Sequence, residues 1–395
     1  MSVRKILHLD LDAFFCAVEE LRDPSLVGKP FAVGGSPDGR GVVSSCSYAA
    51  RMYGVHSAMP MAQAVRICPE LLMVHGQHSE YAAMSRQVRA VFDDLTPLVE
   101  PISIDEAFLD VSDLPEPAEK IARSLQARID RELHLPSSLG VATNKLVAKI
   151  ANNIGKARHR KPTPPRAILV VPPGQEQAFL DPLPIKELWG VGPKTEEKLK
   201  RMGFQTIGDI ARAEEKVLTT QFGKHGRDLW RRAQGRDTRA VEYAHASAKS
   251  ISQETTFPKD IADGDYLRQT LASLAENVAY RLRQQGLCAS TVRIKVRWSD
   301  SSTPTRQLTL SQPTDADGVI TQAACTLFEA LWDGRPVRLL GVGTSNLTPC
   351  SHQMSLWETP SEKERRLLAA MDELRERYGE KVVRKGRSLG KSENR

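Results

Sequence analysis

The chain has 395 residues, a formal net charge of +7, 41% hydrophobic residues and 26% charged residues. That length predicts about two to four domains rather than one core. The hydrophobic fraction excludes a disordered chain, and without an apolar run of ~20 residues no membrane span is expected.

Residues 4–11 (RKILHLDL) read as a strand and 13–22 as a helix. Strands are predicted at 30–34, 41–45, 98–104, 106–111, 138–142 and 167–171, and helices at 47–53, 60–68, 77–94, 117–134 and 144–155. Alternating elements of this kind make an α/β or α+β unit. From 173 to 235 the texture changes to short helices broken by glycine, followed by a polar stretch from Gly235 to Ala246. Beyond it a strand at 248–256, a helix at 263–286, strands at 289–299 and 305–311, a helix at 315–331 and a strand at 337–347 give the order βαββαβ, a ferredoxin-like small domain. A final amphipathic helix carries Leu367, Leu368, Met371, Leu374 and Tyr378 on one stripe, so it should dock somewhere. The end, 381–395, is basic. Cys16, Cys46, Cys68, Cys288, Cys325 and Cys350 form no CxxC pair and no cluster with histidine, which predicts buried, reduced thiols. The first acid falls at position 10 inside the only apolar run of the N-terminus, so a cytoplasmic chain without a secretory leader is expected.

The chemistry concentrates in a few stretches. In HLDLDAFF, alternation puts Leu7, Leu9 and Leu11 on one strand face and His8 and Asp10 on the other. Residues 91–113 hold seven acids and no Lys or Arg, centred on Asp105 and Glu106. Apolar neighbours on both sides predict a tight hairpin between buried strands, where paired carboxylates are tolerated once cations neutralise them. If this hairpin lies beside the first strand, Asp10, Asp105 and Glu106 converge as hard oxygen ligands for Mg²⁺, and two such ions serve phosphoryl or nucleotidyl transfer. A DxD near an N-terminal strand also occurs in haloacid-dehalogenase-like phosphatases. There a small residue follows the second Asp by two, and Phe14 in that place argues against them.

Tyr48 and Arg51 share a helix face and can bind a triphosphate, with Gly54 ending the helix. Residues 144–166 contain seven basic residues and no acid; Asn144 suits an N-cap, and Lys145, Lys149, Asn152 and Lys156 share one face, which is either solvated or directed at phosphate. Leu188-Trp189-Gly190-Val191-Gly192-Pro193-Lys194 is a helix-hairpin-helix signature, whose glycines and following helix start let backbone N–H groups approach the phosphates of a duplex. Arg293, Lys295 and Arg297 project together from one strand face.

Taken together, HLDLDAFFCAVEE, YAAR, SIDEAFLD, GVATNKLVAKIAN and LWGVGPKTEEKL stand in the order of the Y-family translesion DNA polymerases, and the chain resembles the bacterial DinB branch over about residues 3–357. The resemblance implies an α+β, multidomain right-hand architecture: a ferredoxin-like palm at 1–170 with small fingers inserted at about 13–79, a helix-hairpin-helix thumb at 171–237, a linker at 238–246, a βαββαβ little finger at 247–348 and a tail at 349–395. It implies low-fidelity, template-directed DNA synthesis past lesions by a monomer, from dNTP onto a primer-template. Asp10, Asp105, Glu106 and the Leu11 carbonyl would ligate two Mg²⁺ ions, and Phe15 would be the steric gate against a 2′-OH. Phe14 (through its N–H), Val42, Ser44, Ser45, Tyr48, Arg51 and Lys156 would surround the nucleotide. Gly190, Gly192, Lys194, Arg293, Lys295 and Arg297 would contact DNA. Gln353, Met354, Leu356 and Trp357 resemble the sliding-clamp peptide, usually Gln-Leu-Ser-Leu-Phe. One departure stands out. After Lys156 the family continues Pro, Asp or Asn, Gly, whereas here a longer basic loop runs from Ala157 to Pro165, and Arg158 could share the phosphate role. Outside polymerisation, a catalytically silent DNA-binding scaffold or a metal-dependent nuclease with a helix-hairpin-helix are the other readings.

Overall fold

The computed structural model describes residues 3–243, 248–350, 360–379, 382 and 383. It divides into two compact units, Met1–His245 and Ala246–Arg395. The first begins with β1 (Ile6–Leu11), α1 (Phe14–Arg22), β2 (Phe31–Gly34), β3 (Val43–Cys46), α2 (Tyr48–Met52), α3 (Met61–Ile67), β4 (Leu72–Val74) and α4 (His78–Leu95). It goes on through β5 (Val99–Pro101), β6 (Glu106–Asp110), α5 (Ala118–Leu133), β7 (Ser137–Ala142), α6 (Lys145–Ala157) and β8 (Ile168–Val170). Short helices complete it: α7 (Glu176–Leu180), α8 (Pro193–Arg201), α9 (Ile207–Arg212), α10 (Glu215–Phe222) and α11 (Lys224–Ala233).

The main sheet has the order β5-β6-β1-β7-β8, with β1 antiparallel to both neighbours. A central strand is covered on both faces, which is why β1 is aliphatic almost throughout. Leu7, Leu9 and Leu11 join the core formed with Val88, Val91, Ile121 and Leu125, while Ile6 packs with Leu146 and Ile150 of α6. His8 is fully buried, so its face of the strand is covered as well. Helix α6 lies close because β7 carries Gly140, where an added Cβ would stand 1.9 Å from the Ala148 carbonyl oxygen. A separate small sheet, β3-β2-β4, has its own core around Val43, Met61, Ala64 and Cys68. β4, parallel to β2, was not foreseen, because three residues are too few to show an alternation.

The second unit runs β9 (Ser250–Ile261), α12 (Gly264–Gln284), β10 (Leu287–Trp298), β11 (Thr305–Thr314), α13 (Asp317–Glu329) and β12 (Val337–Pro349), then α14 (Pro360–Tyr378). This is the expected βαββαβ order. Its sheet, β11-β10-β12-β9, is antiparallel throughout. Leu267, Leu271, Ile320 and Phe328 of the two helices pack with Val292, Ile294 and Val296 of β10.

One expectation fails here and a second is met only in part. Cys288 and Cys350 form a disulfide, while Cys16, Cys46, Cys68 and Cys325 do not. The register sets Leu287 opposite Pro349, so thiols 62 residues apart become neighbours that no sequence spacing reveals. Helix α14 does dock, but by only part of its apolar stripe. Leu368 and Met371 are buried, but Leu367, Leu374 and Tyr378 are exposed, and Asp372 and Arg375 are buried instead. Arg283 of α12 selects that face by pairing with both Asp372 and Asp317 at 2.6 Å.

Candidate active site

Asp10, the last residue but one of β1, lies opposite Glu106 at the start of β6. The Leu11 N–H donates to the Asp105 carbonyl at 2.9 Å, which ties the turn before β6 to the end of β1. The three acids predicted from distant stretches therefore meet at one edge of the sheet. The expected hairpin is present, with β5 antiparallel to β6, but its flanks are less buried than expected: β5 stops at Pro101, and Ile102 and Ile104 are exposed. The turn is polar, with the Ser103 hydroxyl accepting the N–H groups of Asp105 and Glu106 and donating to the Asp105 carboxylate.

The basic face of α6 is turned onto these acids and is not solvated. Asn144 caps the helix by accepting from the Val147 N–H. Lys145 pairs with Glu100 at 2.6 Å, Lys149 with Glu106 at 2.5 Å, and Lys156 with Asp10 at 2.5 Å. Asn152, fully buried, donates to His8 Nδ1 and to the His8 and Ser138 carbonyls. Burial pushes the His8 imidazole down to about 4, so it is neutral at physiological pH. What it offers Glu106 is then a hydrogen bond rather than charge, and Lys149 supplies the charge. Burial alone would raise Glu106, but His8 and Lys149 outweigh it and hold it near 2. Burial raises Asp10 to about 6 despite Lys156. Burial lowers Lys156 in turn, and Asp10 and Asp12 more than reverse that.

Hard carboxylate oxygens, two of them (Asp10 and Glu106) already drawn to a lysine, are a donor set that fits divalent metal. Among the described residues the only trio of ligand atoms within 4.8 Å is Cys288, Asp315 and Cys350, whose sulfurs are spent in the disulfide. Asp10, Asp105 and Glu106 stand wider than that. Asp12 is buried and fully engaged: it accepts from Ser138 at 2.9 Å and from the Arg166 N–H at 3.0 Å, with Lys156 at 3.3 Å.

Beyond Asp12, Ala13 adopts the left-handed conformation (φ 49°) and α1 starts without a side-chain cap. The first of its amides to bond back is that of Ala17, to the Ala13 carbonyl. The amides of Phe14 and Phe15 thus open outward at the positive end of the helix. The Phe14 ring is buried in the core, and Phe15 stacks on Tyr81 (4.2 Å, 12°). Tyr81 is braced by donating to Glu19 at 2.5 Å. Sequence reasoning missed Tyr81 and His8; only the packing of α4 on α1 and of α6 on β1 brings them in.

On α2, the Arg51 guanidinium lies over the Tyr48 ring at 4.6 Å, and Gly54 (φ 88°) closes the helix. The Tyr48 hydroxyl is buried with no hydrogen-bond partner among the described residues, and burial pushes its phenol well above the usual range. Val42 and Ser44 are exposed, whereas Ser45 points inward, where Cys16 donates to it. Strand alternation separates Ser45 from the other two.

The Trp189 ring meets Phe108 at 5.8 Å and lies under Lys149, so the segment before α8 is anchored at the acid-lysine seam. Gly190 (φ 101°) requires glycine, and Gly192 leads into α8 at Pro193, with Lys194 exposed. In the second unit Arg293, Lys295 and Arg297 alternate with buried Val292, Ile294 and Val296, away from the helices; Lys295 pairs with Glu254 at 2.7 Å. Gln353, Met354, Leu356 and Trp357 lie outside the described residues. No helix among the described residues is long and apolar enough to cross a membrane.

Three family models match the chain: the impB/mucB/samB family at residues 9–153, its C-terminal domain at 248–356 and the IMS family HHH motif at 173–204. A DNA polymerase IV of Listeria monocytogenes serotype 4a is 41% identical over 350 residues, covering 88% of this chain and 96% of the relative. Another, of Desulfatibacillum aliphaticivorans, is 41% identical over 391 residues, 97% of this chain and 96% of its own length. Among solved structures, a chimeric Y-family DNA polymerase built from Dbh and Dpo4 superposes with a TM-score of 0.75 at 25% identity, over 87% of this chain and 98% of that one. DinB from Sulfolobus solfataricus gives 0.59 at 25% identity, over 86% and 98%.

Proposed function

The chain belongs to the impB/mucB/samB family of Y-family polymerases and is a translesion DNA-directed DNA polymerase, and on that premise we propose that Asp10, Asp105 and Glu106, with the Leu11 carbonyl, hold two Mg²⁺ ions for nucleotidyl transfer. The observation that carries this reading is the pair of lysine contacts, Lys156 on Asp10 and Lys149 on Glu106: adjoining strands present carboxylates that already hold positive charge. When bound, such ions lower the pKa of the attacking primer 3′-hydroxyl and offset the charge building on the transferred phosphate.

The chain's own groups supply the rest. Lys156, released from Asp10, joins Tyr48, Arg51 and the outward amides of Phe14 and Phe15 around the triphosphate of the dNTP. Phe15, held flat by Tyr81, lies beneath the deoxyribose and leaves no room for a 2′-OH. Val42 and Ser44 offer only modest bulk above the nascent pair, which favours lesion tolerance over fidelity, and Ser45 lines the nucleotide site with Tyr48 and Arg51. Gly190, Gly192 and Lys194 grip the backbone of the primer-template, as do Arg293, Lys295 and Arg297. Gln353, Met354, Leu356 and Trp357 bind a sliding clamp, and the enzyme works as a cytoplasmic monomer.

Primer extension with Asp105→Ala tests the metal set. The expected loss is at least ~10²–10³-fold, on the scale of removing one electrostatic stabiliser; extension at the parent rate overturns the assignment. Phe15→Ala should incorporate ribonucleotides, and a variant still restricted to dNTPs would remove Phe15 as the gate.

A further inference from the structure

The basic loop after α6 follows directly on Lys156, and the structure gives it a contact. His159 stands edge-on to the Tyr48 ring, with centroids 6.4 Å apart and planes at 88°. That is within the range and geometry in which aromatic rings attract. Tyr48 is thus held from two sides, by the Arg51 guanidinium over its face and by His159 at its edge.

The loop is built to keep His159 in place. At its start, the His159 N–H donates to the Lys156 carbonyl at 3.1 Å and the Arg158 N–H to the Ile154 carbonyl at 3.2 Å. Three prolines, Pro162, Pro164 and Pro165, restrict its backbone. At its end, the Arg166 N–H donates to the buried Asp12 carboxylate at 3.0 Å, and the Arg166 guanidinium pairs with Asp130 at 2.7 Å. Across the loop, one imidazole nitrogen meets the Thr163 hydroxyl at 3.3 Å. Arg158, in contrast, is exposed at the helix end and touches neither Tyr48 nor Asp10 in any resolved contact. The buried, unpartnered Tyr48 hydroxyl is the group that such bracing would aim.

We propose that His159 is a positioning residue for nucleotide binding: its ring edge fixes Tyr48, so that the loop after α6 sets dNTP affinity without touching the reacting atoms. The inference rests on the assignment of Tyr48 to the triphosphate. Single-turnover primer extension over a range of dNTP concentrations separates affinity from maximal rate. His159→Ala is expected to weaken apparent dNTP affinity by about three- to tenfold, the worth of one edge-on aromatic contact, and to leave the maximal rate within about twofold. His159→Phe, which keeps an aromatic edge, should restore the parent affinity. In a Tyr48→Ala background, His159→Ala should add nothing. Parent affinity in His159→Ala, or equal loss in His159→Phe, overturns the proposal, as does a full additional loss in the double variant. Tyr48→Phe distinguishes the two levels. If it binds dNTP as the parent does, the triphosphate assignment of the Tyr48 hydroxyl has failed; if it weakens binding while His159→Ala does not, only the bracing has failed. His159→Phe and Tyr48→Phe keep nearly the same volume, so the test survives if an alanine variant does not fold.

Discussion

Two rows of basic residues look alike in the sequence and behave as opposites in the fold. Lys145, Lys149 and Lys156 recur at helical spacing on α6, and Arg293, Lys295 and Arg297 recur at strand spacing on β10. The first row is turned inward, and each lysine ends on a carboxylate of the main sheet, Glu100, Glu106 or Asp10. The second projects from the sheet face opposite its helices, with Lys295 alone tied to an acid, Glu254. Periodicity reports which residues share a face; what lies opposite that face is decided by the packing of another element. The inward row keeps a cluster of acids soluble in a sheet edge, whereas the outward row remains available to a polyanion.

The comparison breaks most visibly at Glu106. Glu106→Gln removes the acid on which Lys149 and His8 converge, and extension should fall by about 10²–10³-fold or more. A polymerase unaffected by this change would mean that the inward row serves folding alone. Next in size is Lys149→Met. It leaves Glu106 half-buried with only the His8 hydrogen bond, and urea unfolding should show a loss of about 1–3 kcal/mol. Arg293→Ala, on the outward row, should move stability by less than about 0.5 kcal/mol. If the two variants unfold alike, the contrast between the rows is wrong. On DNA binding the order reverses. Replacing Arg293 and Arg297 by Ala should lower the slope of log affinity against log salt by about 0.9 for each phosphate no longer neutralised, read from titrations at several salt concentrations. The smallest effect belongs to Glu254→Ala. Releasing Lys295 from an exposed pair should tighten DNA binding at low salt by about two- to fivefold; weaker binding would show that Glu254 orients Lys295 rather than competing for it.

Much of the site was legible because strand ends and helix caps are local. The aliphatic strand Ile6–Leu11 with Asp10 near its end, the Asn144 cap, Gly54 and the glycines of the hairpin before α8 are written in neighbouring residues, and the structure places them as those residues require. Illegible were the partners of each buried polar group. His8 read as one face of a strand, and nothing nearby announces Asn152 above it or Glu106 beside it. The apolar stripe of α14 docks only in part for the same reason: Arg283, far upstream, holds Asp372 and so chooses the face that docks. Ser45 shows how finely this is set, because one residue along a strand exchanges the faces and puts its hydroxyl on Cys16.

The sequence by itself determined the element types, the βαββαβ order of the second unit and which stretches carry acid, base and aromatic bulk. These follow from propensity and periodicity, which act over a few residues. Tertiary structure alone decided that Asp10, Asp105 and Glu106 share an edge, that the lysines of α6 face them, that Tyr81 backs Phe15 and that His159 reaches Tyr48. Each of those joins residues through burial and charge neutralisation across elements, where the energy of a contact depends on the geometry of the pair and not on their distance along the chain.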